Sequence, residues 1–181
     1  MSVGFIGLGA MGEGMAKNLA RSGLLSGVFN RTTDKAKVLA EALRVTFYEQ
    51  IETLAADMDV IVMCVAADAD VIDVITAIQQ TVKPGTVVID SSTVSSDTAI
   101  KASQLLATKQ AKFLDAPVSG GVEGATNGTL AMMIGGDEAL IEQVRPVLEA
   151  MTARIIHIGQ QAPDKLQKPL IKSCVQVSIK L

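Results

Sequence analysis

Cysteine is scarce in this sequence, and no run of apolar residues approaches the length of a membrane span. Only Cys64 and Cys174 occur, far apart and each within an apolar segment, so neither a disulfide framework nor a metal site is predicted. A bilayer crossing needs about 20 consecutive apolar residues. The N-terminus enters its first apolar run without a basic segment or a cleavage-site pattern, which argues against a signal peptide. We therefore expect a protein of the reducing cytoplasm.

Charge is equally limited. Charged residues make up 19% of the 181 residues, and the net charge is −3. This balance provides no basic field for nucleic acid or for an anionic membrane surface. Hydrophobic residues make up 49% of the chain, which is enough for one domain with a sizeable core and is not typical of a disordered chain.

Short apolar runs alternate with segments of helical periodicity through most of the chain. Such an alternation predicts a doubly wound α/β fold, with a parallel sheet and helices on both faces. In the first helical segment, Met11, Met15 and Leu19 recur every four residues and are expected to face the sheet. The predicted strands are 3–6, 27–30, 59–65, 86–90, 112–115, 130–134 and 154–158. The predicted helices are 11–22, 34–43, 69–80, 95–108 and one beginning at Asp137, with a glycine-rich loop after residue 115.

The pattern ends at Gly159. The segment 160–168 has no helical stripe, and Pro169 would break a helix. Residues 175–181 alternate between apolar and polar side chains like an isolated strand. We therefore expect one domain over residues 1–159 and a poorly packed tail over 160–181.

A glycine-rich turn joins the first strand to the first helix. It reads Gly7-Leu8-Gly9-Ala10-Met11-Gly12. In this context the first glycine permits the tight turn, the second lets the backbone approach a pyrophosphate, and the third lets helix and strand pack closely. The free N–H groups and the dipole of the helix N-terminus favour the phosphates. A purely structural turn is the alternative, but the position between strand and helix favours a Rossmann-type dinucleotide site.

The end of the second strand bears on the choice of dinucleotide. An NAD site typically has an acidic residue there, which binds the ribose 2′-hydroxyl. This chain has Asn30-Arg31-Thr32 instead. Arg31 can pair with a 2′-phosphate, and Asn30 and Thr32 can add hydrogen-bond donors. Alternatively, Arg31 begins a solvated loop and Asp34 caps the next helix. The pattern favours NADP(H) over NAD(H).

Three motifs together resemble the β-hydroxyacid dehydrogenase family, which includes the 3-hydroxyisobutyrate dehydrogenases and the tartronate, glyoxylate and succinic semialdehyde reductases. The first is Phe5-Ile6-Gly7-Leu8-Gly9-Ala10-Met11-Gly12-Glu13-Gly14-Met15-Ala16-Lys17-Asn18. The others are Ile89-Asp90-Ser91-Ser92-Thr93 and Asp115-Ala116-Pro117-Val118-Ser119-Gly120-Gly121-Val122-Glu123-Gly124-Ala125. They cover residues 1–159 in the family's order and spacing. The resemblance implies hydride transfer between NADP(H) and a small 3-hydroxy acid or semialdehyde.

The resemblance also implies roles for individual residues. Thr93 would contact the cofactor near its nicotinamide end, and Val65 and Ala66 would lie beside the ribose through their backbone. Ser119, Gly120 and Gly121 would bind the substrate carboxylate, since successive N–H groups without bulky side chains form an anion-binding concavity. A plain turn after Thr93 and a plain flexible loop at Ser119 are the alternatives.

Three further residues could be mistaken for acid–base groups. His157 is the sole histidine and lies in an apolar strand, so we interpret it as structural. Asp90 and Asp115 could form a carboxylate pair, but they are more simply interpreted as acceptors of loop N–H groups.

One family motif is absent from residues 1–181. In the family, a lysine in G-x-G-x-x-x-K-x-x-N transfers the proton, the asparagine orients the substrate, and the motif opens an all-helical second domain that closes the site and forms the dimer. Lys168 stands at the right distance from Gly159, but it lacks the glycines and is followed by Pro169. It is only a weak positional candidate. Two hypotheses remain. The chain is either an oxidoreductase that lacks this second domain and is inactive, or a non-catalytic dinucleotide-binding module. Because most of the family's dimer interface would be missing, we also expect self-association.

The tail itself points to a shifted reading frame. Synonymous codons exist for which residues 160–181, read one base earlier, give A-A-G-A-G-Q-A-T-K-A-I-N-Q-V-M-C-A-G-I-N-Q-A. This string contains the missing motif, with its lysine and its asparagine. The wobble bases set only the first letter of each shifted codon, so the protein sequence fixes the other two. A one-base frameshift near Gly159 is the interpretation that we favour.

Overall fold

The computed structural model describes residues 1–159 of the 181-residue chain. They form two sheets and seven helices. The strands are β1 (Val3–Ile6), β2 (Leu25–Phe29), β3 (Thr46–Phe47), β4 (Val60–Met63), β5 (Val87–Asp90), β6 (Lys112–Asp115), β7 (Val118–Ser119), β8 (Leu130–Ile134) and β9 (Thr152–His157). The helices are α1 (Ala10–Arg21), α2 (Thr33–Leu43), α3 (Ile51–Asp57), α4 (Asp68–Thr81), α5 (Ser96–Ala107), α6 (Gly121–Asn127) and α7 (Glu138–Met151). In this part of the chain no helix is long and apolar enough to cross a membrane.

The main sheet has six parallel strands in the order β3-β2-β1-β4-β5-β6. Strands β1, β4 and β5 are buried at every position, as expected for strands covered on both faces. One apolar core lies between the sheet and α1, α2 and α7, and a second lies beneath α3, α4 and α5. Met15 and Leu19 are fully buried in the first core, and Met11 packs against it. The predicted doubly wound fold is confirmed.

The last strands form a separate sheet, which the alternation of strands and helices did not indicate. Its order is β7-β8-β9, with β7 antiparallel and β9 parallel to β8. The chain reverses between β7 and β8, through α6, so β8 runs antiparallel to β7 instead of extending the parallel sheet. The Gly135 N–H donates to the Asp115 carbonyl at 3.0 Å and joins the two sheets. The region predicted as one glycine-rich loop therefore contains β7 and α6.

Most predicted boundaries lie within two residues of the observed ones. Strand β2 begins at Leu25 and ends at Phe29, which leaves Asn30 in the following loop. Thr32 occupies the N-cap position of α2, so the suggestion of Asp34 as its cap was wrong, and Asp34 lies in the first turn. Asp137 is the N-cap of α7, where its carboxylate accepts from the Ala139 N–H. The predicted tail, 160–181, lies outside the described residues.

Candidate functional site

The residues singled out in the sequence lie at the carboxyl ends of the main strands. The strand order reverses at β1, because the chain proceeds outward to β2 and β3 and then returns to place β4 on the other side. Ligands of open α/β sheets bind in the crevice that such a reversal creates. The loops after β1, β2, β4 and β5 meet at this crevice and carry Gly7 to Gly12, Asn30 to Thr32, Val65 and Ala66, and Thr93.

The three glycines of the turn are required for different reasons. Gly7 has a φ of +95°, and a Cβ there would lie 2.3 Å from the Cys64 carbonyl oxygen. A Cβ on Gly12 would lie 1.9 Å from the Gly7 carbonyl oxygen. Gly9 differs, because its φ is −66° and a Cβ would meet no atom of the described residues within 4 Å. Internal packing therefore explains Gly7 and Gly12, whereas Gly9 borders open space at the N-terminus of α1.

Asn30 connects the glycine turn to the loop after β2. Its Oδ1 accepts from the Leu8 N–H at 2.9 Å, and its Nδ2 donates to the Thr32 carbonyl at 3.2 Å. Leu8 has a buried side chain and anchors the turn in the core. The side chain of Asn30 is thus engaged within the protein, a positioning role that the sequence did not reveal. The N–H groups in the first turn of α1, at Ala10 and Met11, have no acceptor within the helix.

Arg31 extends from the same loop into solvent. Its side chain is 91% exposed, and its Nη1 lies 3.3 Å from Oδ1 of Asp70, in the first turn of α4. Thr32 is exposed, and its side chain makes no capping hydrogen bond to α2. A guanidinium and a hydroxyl are therefore available at the end of β2.

The loops after β4 and β5 are connected by a serine that the sequence did not single out for a role. The Val65 N–H donates to Oγ of Ser92 at 2.9 Å. Ser92 is buried, whereas Ala66 and Thr93 are exposed at the carboxyl edge. The bond spans 27 residues, so no local pattern could have indicated it.

A second contact between these loops was also missed. The carboxylate of Asp68, at the start of α4, accepts hydrogen bonds from the side chains of Ser95 and Thr98, at the start of α5. These bonds hold the pKa of Asp68 below its usual value. Ser95 is the N-cap of α5, where its Oγ also accepts from the Thr98 N–H.

The proposed carboxylate-binding segment forms a turn that depends on glycine. Gly120 and Gly121 have φ values of +133° and +60°, in the region that side chains rarely adopt. Ser119 and both glycines are exposed. Helix α6, which follows, lies close against α1. A Cβ on Gly14 of α1 would be 2.8 Å from the carbonyl group of Ala125 in α6.

Two acidic side chains lie side by side beneath these loops. Asp90 and Asp115 are paired in register at the ends of β5 and β6. Oδ1 of Asp90 accepts from the Ser92 N–H at 2.9 Å, whereas its Oδ2 has no partner in residues 1–159. Burial raises the pKa of Asp90 above its usual value. Burial, and secondarily the charge of Asp90, raises the pKa of Asp115 to about 6.

The expectation that both carboxylates accept loop N–H groups holds for Asp90 alone. In the described part of the chain, Asp115 accepts through its backbone carbonyl and not through its side chain. His157 lies in β9 with Nε2 2.9 Å from the Gly136 carbonyl oxygen, away from the crevice. Lys168 lies outside the described residues.

The family profile described as the NAD binding domain of 6-phosphogluconate dehydrogenase matches residues 2–159. Mitochondrial 3-hydroxyisobutyrate dehydrogenase of Drosophila melanogaster is 40% identical over 87% of this chain and 49% of that protein. 2-(Hydroxymethyl)glutarate dehydrogenase of Eubacterium barkeri is 33% identical over 99% of this chain and 61% of that protein. The chain thus spans about half to three fifths of the length of these relatives.

Solved structures of the same kind are also similar. 3-Hydroxyisobutyrate dehydrogenase of Mycobacterium tuberculosis, determined with L-serine, has a TM-score of 0.83 and 37% identity, over 88% of this chain and 54% of that one. Psf3, determined in complex with NADP+ and 2-OPP, has a TM-score of 0.81 and 32% identity, over 87% of this chain and 56% of that one. The resemblance inferred from the three motifs is confirmed. Through residues 2–159, this chain belongs to the family described as the NAD binding domain of 6-phosphogluconate dehydrogenase.

Proposed function

We propose that residues 1–159 bind NADP(H), with the pyrophosphate at Gly9 and the first turn of α1. The open space beside Gly9 carries this proposal, since no neighbouring atom of residues 1–159 accounts for a glycine there. A pyrophosphate approaching the free N–H groups at the helix N-terminus does account for it. Val65, Ala66 and Thr93 continue the same crevice toward the nicotinamide end.

The preference for the phosphorylated dinucleotide rests on Arg31. A guanidinium can bind a 2′-phosphate through two parallel hydrogen bonds, and this loop has no acidic residue to receive a 2′-hydroxyl. The exposure of Arg31 and Thr32 leaves both side chains accessible to a ligand. A similar structure, Psf3, was determined with NADP+.

Titration of NADPH and NADH by fluorescence or calorimetry tests this preference. NADPH should bind more tightly, and Arg31→Ala should weaken NADPH by roughly 1.5–3 kcal/mol while leaving NADH little changed. Equal affinities in the wild type, or tighter NADH, would contradict the preference for NADP(H).

Gly9→Ala tests the position of the pyrophosphate independently of that preference. The added methyl group meets no protein atom, so folding stability should be unchanged or raised by about 0.4–1 kcal/mol. Both nucleotides should nevertheless bind at least tenfold more weakly, because the methyl group would occupy the space that we assign to the pyrophosphate. Gly12→Ala is the matched comparison, since its Cβ would collide with Gly7 and should destabilise the fold itself. Unchanged binding by Gly9→Ala would place the pyrophosphate elsewhere.

We propose a small hydroxy acid or semialdehyde as the substrate of the intact enzyme. Ser119, Gly120 and Gly121 form an exposed turn that carries a hydroxyl and no bulky side chain, a suitable environment for a carboxylate. The similar enzymes named above act, by their names, on 3-hydroxyisobutyrate or 2-(hydroxymethyl)glutarate. Bound NADP(H) would supply hydride exchange, and the loop would orient the substrate.

The 181-residue polypeptide itself is proposed to bind nucleotide without turning over substrate. The family's G-x-G-x-x-x-K-x-x-N motif does not occur in residues 1–181. This favours a dinucleotide-binding module as the activity of this chain. The proposed oxidoreductase activity would require the lysine motif, which the shifted reading frame of the tail would encode.

A further inference from the structure

The basic residues around the phosphate turn are each paired with a carboxylate. Glu13 of α1 binds Lys17 at 2.7 Å and Lys35 of α2 at 3.1 Å. These two bonds lower the pKa of Glu13, so it remains ionised. A third cation at the crevice, Arg31, is paired with Asp70. Positive charge at this site is therefore balanced by the protein before any nucleotide binds.

The two ion pairs differ in what they connect. Glu13 joins α1 to α2 on one side of the main sheet, where both helices pack on the same core. Asp70 lies in α4, which packs on the opposite face, and Arg31 follows β2. Because β1 lies between β2 and β4, the Arg31–Asp70 pair spans the crevice where the strand order reverses.

We propose that Asp70 is a specificity-determining residue that reduces the preference for NADP(H) by competing for Arg31. This inference rests on the proposed binding of the 2′-phosphate by Arg31. The Asp70 carboxylate lies at contact distance from one nitrogen of the guanidinium that would receive the phosphate. A bound 2′-phosphate must displace this carboxylate or tolerate its negative charge nearby. A 2′-hydroxyl incurs neither cost, so Asp70 penalises the phosphorylated dinucleotide alone.

The size of the effect follows from exposure. Arg31 is 91% exposed and Asp70 is 30% exposed, so water and salt screen the pair. Exposed ion pairs contribute little, which corresponds to about a two- to fivefold change in affinity. The change should shrink at high ionic strength, because the Debye length falls to about 3 Å at 1 M salt.

Asp70→Asn tests the proposal, since it removes the charge and retains the shape. Asp73→Asn is the matched control, because Asp73 is exposed on the same helix, one turn away, and makes no ion pair in residues 1–159. The probes are 2′,5′-ADP and 5′-AMP, followed by NADPH and NADH, each titrated at low and high salt. Asp70→Asn should tighten 2′,5′-ADP and NADPH by about two- to fivefold and leave 5′-AMP and NADH within error. Asp73→Asn should change none of the four.

The Arg31→Ala background separates the two proposals. In that background, Asp70→Asn should no longer tighten NADPH, because the guanidinium for which Asp70 and the 2′-phosphate compete is gone. If Asp70→Asn weakens NADPH, Asp70 positions Arg31 and does not compete for it, and the inference fails. Unchanged NADPH binding, or an equal gain for NADH, also overturns it. If Arg31→Ala leaves NADPH binding unaltered, the proposed preference for NADP(H) fails, and this inference fails with it.

Discussion

A half-buried carboxyl group beneath the loops at the carboxyl edge of the sheet makes stability depend on pH. The pKa of Asp115 is raised by burial to about 6, so the folded protein holds this proton more tightly than the unfolded chain does. The stabilisation is complete in acid and is lost as the pH rises from about 4 through 6. Asp115→Asn, which is neutral at every pH, should match the wild type near pH 4. It should exceed the wild type by about 1–3 kcal/mol above pH 6.

Urea unfolding at a series of pH values measures this difference. Asp73→Asn serves as the control, because it removes an exposed carboxylate from α4 and should run parallel to the wild type. A constant offset of Asp115→Asn from pH 4 to 8 would show that Asp115 does not titrate in this range.

At the scale of single residues, the sequence predicted the roles of residues that act through their own backbone and its immediate neighbours. Gly7, Gly9 and Gly12 follow a local spacing whose reason is local geometry. The roles of Asn30 and Ser92 depend on partners 22 and 27 residues away, so they required the fold. The burial of Asp115 also depends on two sheets meeting, and the sequence pattern contained no sign of a second sheet.

A buried side chain of α1, Asn18, connects this helix to α6 through a hydrogen bond. Asn18 is 7% exposed, and its Nδ2 donates to the Ala125 carbonyl at 2.7 Å. Its Oδ1 accepts from Nη1 of Arg21 at 2.9 Å. Asn18→Ala would leave the Ala125 carbonyl without this donor, which should lower the free energy of unfolding by about 1–3 kcal/mol.

Chemical denaturation tests this prediction, with Asn127→Ala as the control. Asn127 ends α6 and is exposed, so its replacement should cost well below 1 kcal/mol. Equal losses in the two variants would mean that the Asn18 bond contributes nothing specific.

Elements with long apolar patterns were predicted well, and short elements were not. Helices α1 and α7 have enough apolar positions to show the helical period, and strand β1 is a short apolar run that ends at the glycine turn. Strand β3 has two residues and α6 has seven, including two glycines, so intrinsic propensity argued against α6. Its helical form depends on the contact with α1 that Gly14 and Asn18 permit.

At the scale of the whole chain, the absence of the lysine motif predicts a protein that binds but does not react. The purified 181-residue polypeptide should bind NADPH and show negligible turnover with 3-hydroxyisobutyrate or succinic semialdehyde. Loss of general acid–base catalysis alone typically costs about 10²–10⁴ in rate. Sequencing the DNA for residues 160–181 provides the complementary measurement, and a frame that encodes G-A-G-Q-A-T-K-A-I-N is expected. Robust turnover by this chain would contradict both expectations.

Apolar side chains near the end of the described region predict self-association. Ile156 and Ile158, two residues apart, are 36% and 41% exposed, and Val122 beside the proposed carboxylate-binding turn is 52% exposed. Edge strands with exposed apolar side chains tend to pair between molecules. Light scattering should detect oligomers that diminish in an Ile156→Ser/Ile158→Ser variant.

Val38→Ser is the control for this prediction, because Val38 is 70% exposed on α2, in another part of the fold.

Limited proteolysis should cleave soon after Gly159 and leave a stable core. A monodisperse monomer that resists cleavage there would contradict the sequence-based expectation of a poorly packed tail.

Helix α1 fixes the distance between the proposed pyrophosphate position and the proposed carboxylate-binding turn. Its first turn faces the proposed pyrophosphate position, and its middle holds α6, which follows the proposed carboxylate loop. From Ala10 to Asn18 the helix rises about 12 Å, a span that regular hydrogen bonding keeps constant. Substitution of Ser119, the side chain that begins this exposed turn, would therefore preserve the spacing of the two proposed ligand positions. Substitutions that let this turn bind other carboxylic acids would therefore leave nucleotide binding unchanged, provided that Gly14 and Asn18 are retained.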